Sequence, residues 1–412
     1  MKIGSFAKKY NVSIDTIRYY TNLGFLIPVK KEHYYEYDQT CEDDMDLIIQ
    51  LKSLHFTLNE VSNILKLKRV TLLRDHEDLG KFVQMLETKK DELSMEIATL
   101  FEAMSKIDTI IDSVLQNKEH GTITGISLSF IPLLRCPVCS GSFQLHNAQI
   151  QGESIVSASI QCECGYQAKI NNGILYAPNL DESIENRAYL YEPKTLHEVS
   201  TDLIQLMEKS GLFIYQCLKH HHLTSKVILE PNIDTFVLLP KYLHLLPDDA
   251  LYIFCGSNHE MVEKLKVKIN SINPSLKVLY IVNTSLHLPI TINSVDYLID
   301  SFSFNDYALF HHMFPLAKLS RYCKEHSEII GIFTYFKHGA ESLQKMRELY
   351  PNTYPLNFEK EFIQTHIEAC QFQLDKMISI GETKQPGVYI EHHVGEDTMY
   401  VDGYIAKKRC GS

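Results

Sequence analysis

Between Lys2 and Leu65 apolar residues recur at helical spacing in short bursts separated by turn residues. Phe6, Ala7 and Tyr10 share one face of a first helix, which Asn11 breaks. Ser13 is placed to cap a second helix carrying Ile14, Ile17 and Tyr20, and Gly24 ends it. Two helices joined by a short turn predict a helix-turn-helix. Pro28 and then HYYEYD read as a small hairpin or wing. Helical spacing resumes at Met45, Ile48, Ile49, Leu51 and Leu54. Thr57 with Glu60 forms a capping box that opens a helix containing Val61, Ile64 and Leu65.

A heptad follows. Leu79, Leu86, Leu93, Leu100, Ile107 and Val114 repeat every seven residues, and Val83, Lys90, Ile97, Met104 and Ile111 follow the first five by four. This seam, with Lys90 its one cationic misfit, predicts a long helix that pairs with another; packing on its own domain is the alternative. From about Ser127 to Pro178 short strand-like runs surround two cysteine pairs. After Leu190 the runs VILE (Val227–Glu230), ALYIF (Ala250–Phe254), KVLYIV (Lys277–Val282), VDYLID (Val295–Asp300) and EIIGIFTYF (Glu328–Phe336) alternate with helical stretches, which predicts a parallel sheet with crossover helices. MISIGETK, GVYIEHHV and MYVDGYIAKK predict added antiparallel strands. The units expected are 1–72, 76–120, 127–180 and 190–412: a multidomain α and α/β protein.

Composition changes little in this picture. The 412 residues exceed one compact domain, and 45% hydrophobic with 22% charged residues is ordinary for a soluble protein. No apolar run is long enough to span a bilayer, and MKIGSFAKKY lacks the apolar core of a secretory signal, so a cytoplasmic location is expected. The net charge of −11 argues against a chain that coats nucleic acid along its length. Through Lys31, however, Lys2, Lys8, Lys9, Arg18, Lys30 and Lys31 face a single acid, Asp15. A local basic face on an acidic body suits a small DNA-reading module. Of ten cysteines, Cys136, Cys139, Cys162 and Cys164 form two tight pairs. Four thiolates suit tetrahedral, structural zinc, which stabilises a segment too small for a core of its own. His146 is a possible substitute ligand, and His220, His221 and His222 read as a helix-end cap.

The segment KIGSFAKKYNVSIDTIRYYTNLGFLIP, the wing YYEYD and LHFTLNEVSNIL resemble the MerR family of regulators. The resemblance covers about the first seventy residues, and the heptad helix fits the family's dimer helix. It implies a homodimer joined by an antiparallel coiled coil, binding and distorting promoter DNA where RNA polymerase acts, with a C-terminal region that senses a small-molecule effector. The residues expected at DNA are Ser13, Thr16, Arg18, Tyr19, Lys30, Lys31, Tyr35 and Tyr37. Arg18 offers a fork to guanine or phosphate, and tyrosine hydroxyls can donate to phosphates. Core packing is the alternative for Tyr19, Tyr20 and Tyr34. Tyr35 stands where the family carries arginine in its wing, so the positive charge of that arginine is missing here.

CPVC, QCECGY and NGILYAP resemble the zinc-ribbon or treble-clef segment ahead of some ribosomal-RNA guanine methyltransferases, although the second knuckle is C-x-C rather than C-x-x-C. The rest of the chain resembles a class I S-adenosylmethionine-dependent methyltransferase, implying a Rossmann-like fold. VILEPNIDTF lies at its first strand and glycine loop, IFCGSNHEM at the end of the second strand, and YIVNTSLHLPITINSVDYLID at the third and fourth. The candidate ligand residues are Glu230, Asn232, Asp234, Gly256 and Thr284. Asn232, Asp234 and Phe236 replace the three loop glycines, Gly256 stands for the ribose-binding acid and Thr284 for the acid near adenine. Without the glycines the backbone loses its close approach to the cofactor. The expectation is therefore a transcription regulator whose methyltransferase-like domain serves ligand sensing or assembly, with no catalytic residues and no bound S-adenosylmethionine. The alternatives are a regulator that senses S-adenosylmethionine and an active methyltransferase tethered to DNA.

Overall fold

The computed structural model describes residues 1–71, 76–119, 125–178, 180, 200–234, 238–283 and 285–409, with the backbone alone for 76 and 112–119. They form two compact units, Met1–Gln116 and Asn117–Ser412. Phe236 and Thr284 lie outside the described residues.

In the first unit α1 (Ile3–Lys9) and α2 (Ile14–Asn22) form the helix-turn-helix, and β1 (Val29–Lys30) pairs antiparallel with β2 (Tyr35–Glu36) as the wing. Helices α3 (Gln39–Ser53), α4 (Leu58–Thr71) and α5 (His76–Glu119) follow. Ser13 Oγ accepts the Thr16 amide at 3.0 Å and starts α2. Gly24 stops it with φ +72°, a dihedral that costs glycine little. The capping box of α4 forms, with the Thr57 amide on Glu60 at 2.6 Å. Phe6, Ile17, Phe25, Leu26, Met45, Ile48, Val61 and Ile64 build the core. Phe82, Met85 and Leu86 of α5 pack against it, so Leu86 leans on its own domain rather than lying purely on the expected seam.

The second unit is built on a single sheet. The zinc segment contributes β3 (Ile126–Ser127), β4 (Gln144–Gln151), β5 (Ser154–Gln161), β6 (Gln167–Asn171) and β7 (Ile174–Tyr176). After α6 (Thr201–Lys219) come β8 (Val227–Glu230), β9 (Leu251–Gly256), α7 (His259–Ile272), β10 (Lys277–Val282) and β11 (Val295–Ser301). The chain then forms α8 (Ser303–Phe310), α9 (Leu316–Leu319), β12 (Cys323–Tyr335), α10 (Glu341–Leu349), α11 (Glu361–Ala369), β13 (Phe372–Thr383) and β14 (Met399–Lys408). The strand order is β13-β14-β12-β11-β8-β9-β10-β7-β6-β5-β3, with β4 on β5. Strands β8 to β12 are mutually parallel and wind outward both ways from β8, a doubly wound order whose direction reverses between β8 and β11. Side-chain alternation feeds a core on each face: Val227 and Leu229 enter one, Ile228 the other. Gly331 is required where β12 meets β14, since a Cβ there would lie 2.3 Å from the Tyr404 ring.

Two expectations change. GVYIEHHV (387–394) is not a strand: Pro386 and Gly387, at φ +79°, break the chain into turns, and His392 is buried 4.7 Å from the Phe358 ring. Nor is the zinc segment set apart from the α/β region. β7 pairs in parallel with β10, and the buried Lys266 of α7 donates to the Asn172 carbonyl in the β6–β7 turn.

Candidate DNA interface, metal centre and strand-end cleft

On the first unit Ser13, Arg18, Tyr19, Lys30, Lys31 and Tyr35 are exposed, and Thr16 is half-buried behind the Ser13 cap. The Arg18 guanidinium rests on Asp15 at 3.0 Å in solvent, a pair of little intrinsic stability that leaves the fork available. Tyr37 corrects the expectation. It is buried, stacked on Phe6 with centroids 4.8 Å apart, and its hydroxyl meets Thr21 Oγ1 at 3.1 Å. It holds the wing to α2 from inside, with its hydroxyl on α2. Tyr20 half-buries against Phe25, while Tyr19 and Tyr34 stay exposed.

Sequence reasoning missed one device here. Asp44 of α3 is buried and accepts Lys68 Nζ at 3.1 Å and Arg69 Nη2 at 2.8 Å. Arg69 also donates to the Gly24 and Phe25 carbonyls at the turn that ends α2, both at 2.5 Å. Its only local signal was a pair of basic residues in the last turn of a helix.

Beyond Leu86, α5 turns an apolar face to solvent: Ile97, Leu100, Met104, Ile107 and Ile111 of the seam are all exposed, Leu100 to 58%. The side chain of Val114 lies outside the described residues.

The four cysteines come together in a cluster that could hold a metal ion. Cys136, Cys139, Cys162 and Cys164 bring their sulfurs within 4.8 Å of one another. Each close contact joins the two knuckles, Cys136 to Cys164 at 3.5 Å and Cys139 to Cys162 at 3.4 Å. The C-x-C knuckle closes through Gly165, at φ +93°, whose amide donates to the Cys162 carbonyl. Four converging thiols are a donor set that suits a tetrahedral ion. His146 is exposed on β4, outside the cluster.

At the C-terminal ends of β8 and β9 three of the expected ligand residues, Asn232, Asp234 and Gly256, lie together, and the two polar ones bond to neighbouring protein groups. The Asp234 carboxylate accepts the Ser257 amide at 2.8 Å, the Ser257 hydroxyl at 2.6 Å and the Asn258 amide at 3.3 Å. It therefore occupies the turn between β9 and α7, while the first amides of the helix itself are capped by Asn258 Oδ1. Gly256 leaves it room. Asn232 bonds Asp306 at 2.6 Å and accepts the Asp234 amide. Glu230 is fully buried beside Ser301, and burial, then the charge of Asp300, pushes its carboxyl up to about 8 against the lowering effect of the Ser301 hydroxyl. Asp300 is raised to about 6 by burial despite the Tyr404 hydroxyl at 2.7 Å. Asp296, by contrast, is structural: it takes Lys226, Lys324 and the Val227 amide, and these lower its pKa.

Residues 1–68 match the model of the MerR HTH family regulatory proteins. The N-terminal region is a MerR-family helix-turn-helix. The chain is 27% identical over 111 residues to an HTH-type transcriptional regulator, the ZntR homolog of Haemophilus influenzae, covering 26% of this chain and 82% of that protein. It is 39% identical over 66 residues to the mercuric resistance operon regulatory protein of Bacillus cereus, covering 16% of this chain and half of that protein. Among solved structures, a geranyl diphosphate C-methyltransferase from Streptomyces coelicolor is similar over 55% of this chain and 85% of its own, at 8% identity and a TM-score of 0.39. An S-adenosylmethionine-dependent methyltransferase from Aquifex aeolicus is similar over 50% of this chain and 97% of its own, at 17% identity and a TM-score of 0.34. The MerR-type region thus precedes an α/β region with a doubly wound sheet. No helix among the described residues is long and apolar enough to cross a membrane.

Proposed function

We propose that this protein is a dimeric, cytoplasmic transcription regulator. It binds promoter duplex through α2 and the wing, where RNA polymerase acts, and pairs with a second copy along α5. Structural zinc at Cys136, Cys139, Cys162 and Cys164 orders the β4–β6 segment. The α/β region senses a small-molecule effector or serves assembly, and does not transfer methyl groups. The observation that carries the last point is the Asp234 carboxylate held on the Ser257 amide, in the turn between β9 and α7. A ribose-binding acid would extend from position 256 into the space this carboxylate fills, and a methionine carboxylate would meet its charge. Catalysis by alignment tolerates little misplacement: about 1 Å costs roughly a hundredfold. The residues at the strand ends do not fit S-adenosylmethionine.

Calorimetric titration of the full-length protein with S-adenosylmethionine tests this, alongside assay of labelled methyl transfer. The expected result is no heat and no transfer. Micromolar binding without transfer would favour a second reading, a regulator that senses S-adenosylmethionine, which the buried Glu230 carboxyl at the end of β8 supports. Labelled transfer would establish a tethered methyltransferase.

A further inference from the structure

We propose that Arg69 is a positioning residue for DNA recognition: it fixes the attitude of α2 relative to α5, and with it the half-site spacing that the dimer accepts. The inference rests on the DNA-binding dimer proposed above.

One guanidinium joins three segments. Its Nη1 takes the Gly24 carbonyl, and its Nη2 takes both the Phe25 carbonyl and the Asp44 carboxylate. Gly24 and Phe25 form the turn that ends α2, and the cation lies at the negative end of that helix. Asp44 lies in α3, in the core of the unit. Arg69 itself lies in the last turn of α4, a few residues before α5 begins. From the other side α5 is tied to the same α4. Lys89 reaches Glu60 at 3.0 Å and lies 5.5 Å from the Phe56 ring centroid, and Phe82, Met85 and Leu86 pack on the core. Besides the shared core, a polar path from the helix that enters the groove to the helix that pairs the protomers therefore runs through Arg69.

In a dimer the two α2 helices must reach half-sites a fixed distance apart, and that distance is set inside each protomer by the relation of α2 to α5. A planar fork can hold two carbonyls and a carboxylate at once, whereas a lysine is a single point charge. Loss of the fork releases the α2 turn without stranding a buried charge, because Lys68 remains on Asp44.

The test uses full-length protein. An operator is selected from random duplex with the wild-type protein, then resynthesised with its spacer one base pair shorter and one longer. Affinities of wild type, Arg69→Lys and Arg69→Gln are measured on the three duplexes and on random DNA at one salt concentration, with light scattering and thermal melts. For both variants we expect dimers, unchanged affinity for random DNA and about tenfold weaker binding to the parent operator. The preference for the parent over the altered spacers should narrow by a similar factor. A variant dimer that keeps the wild-type spacer preference overturns the proposal, whether or not its melting temperature falls. A wild-type protein that is monomeric, or that enriches no duplex, overturns the reading beneath it as well.

Discussion

Asp234 and Gly256 are fitted to each other across the ends of β8 and β9: a Cβ at position 256 would lie 2.9 Å from Asp234 Oδ1, 2.9 Å from Ile233 Cγ1 and 3.0 Å from Val262 Cγ2. Two of these neighbours are parts of a packed core. Gly256→Ala is therefore expected to destabilise the α/β unit by about 1–3 kcal/mol, as overpacking does. Chemical denaturation of the full-length protein checks it, and a neutral effect would mean that the Asp234 loop moves aside freely.

Glu230 sets a pH dependence. Its carboxyl ordinarily titrates near 4.5 and is raised to about 8 in the fold, so the folded chain holds a proton that the unfolded chain releases. Stability must then fall as pH rises through this window, by up to about 1.4 kcal/mol per pH unit. Glu230→Gln should match wild type below pH 4.5 and melt at higher temperature at pH 8. Parallel melting curves for the two proteins across that range would show that the carboxyl is not held protonated.

Zinc should be found at one ion per chain by elemental analysis of protein purified under reducing conditions. Cys136→Ser should lower zinc content and destabilise the second unit. The first unit, with its own core, should keep its helical signal.

Leu100→Asp places a charge on the apolar face of α5 and should yield monomers by light scattering, with operator affinity reduced at least tenfold because each half-site then binds alone. A dimeric mutant would move the interface elsewhere.

Arg18→Ala should weaken operator binding by about 1–3 kcal/mol if the guanidinium reads a base. An equal loss on random duplex, with a salt slope reduced by about 1, would make it a phosphate contact instead.

Much of this was legible from local pattern. β8 and β10 fall on the runs VILE and KVLYIV because buried parallel strands are continuous apolar stretches, and the capping box at Thr57 and Glu60 depends on neighbours three apart. The cysteine spacing led to the metal cluster. What failed was of two kinds. Tyr37 turned inward because a two-residue strand carries no alternation from which to read a face, and GVYIEHHV carried a strand-like pattern that one Pro-Gly step overrode. The rest was long-range. Asp44 and Arg69 are 25 positions apart, Asp234 and Ser257 23, and no periodicity within a helix or strand connects them.

The parallel pairing of β7 with β10 has a practical consequence for anyone expressing the α/β region alone. A cut in the stretch between residues 180 and 200 looks safe on the sequence, yet it would peel β7 away and bare the edge of β10 at Tyr280, Ile281 and Val282, in a strand made almost wholly of apolar residues. Such an edge invites pairing with other chains. A truncation that begins at about residue 125 keeps the sheet whole, and should be recoverable from the supernatant where the shorter piece is found in the pellet.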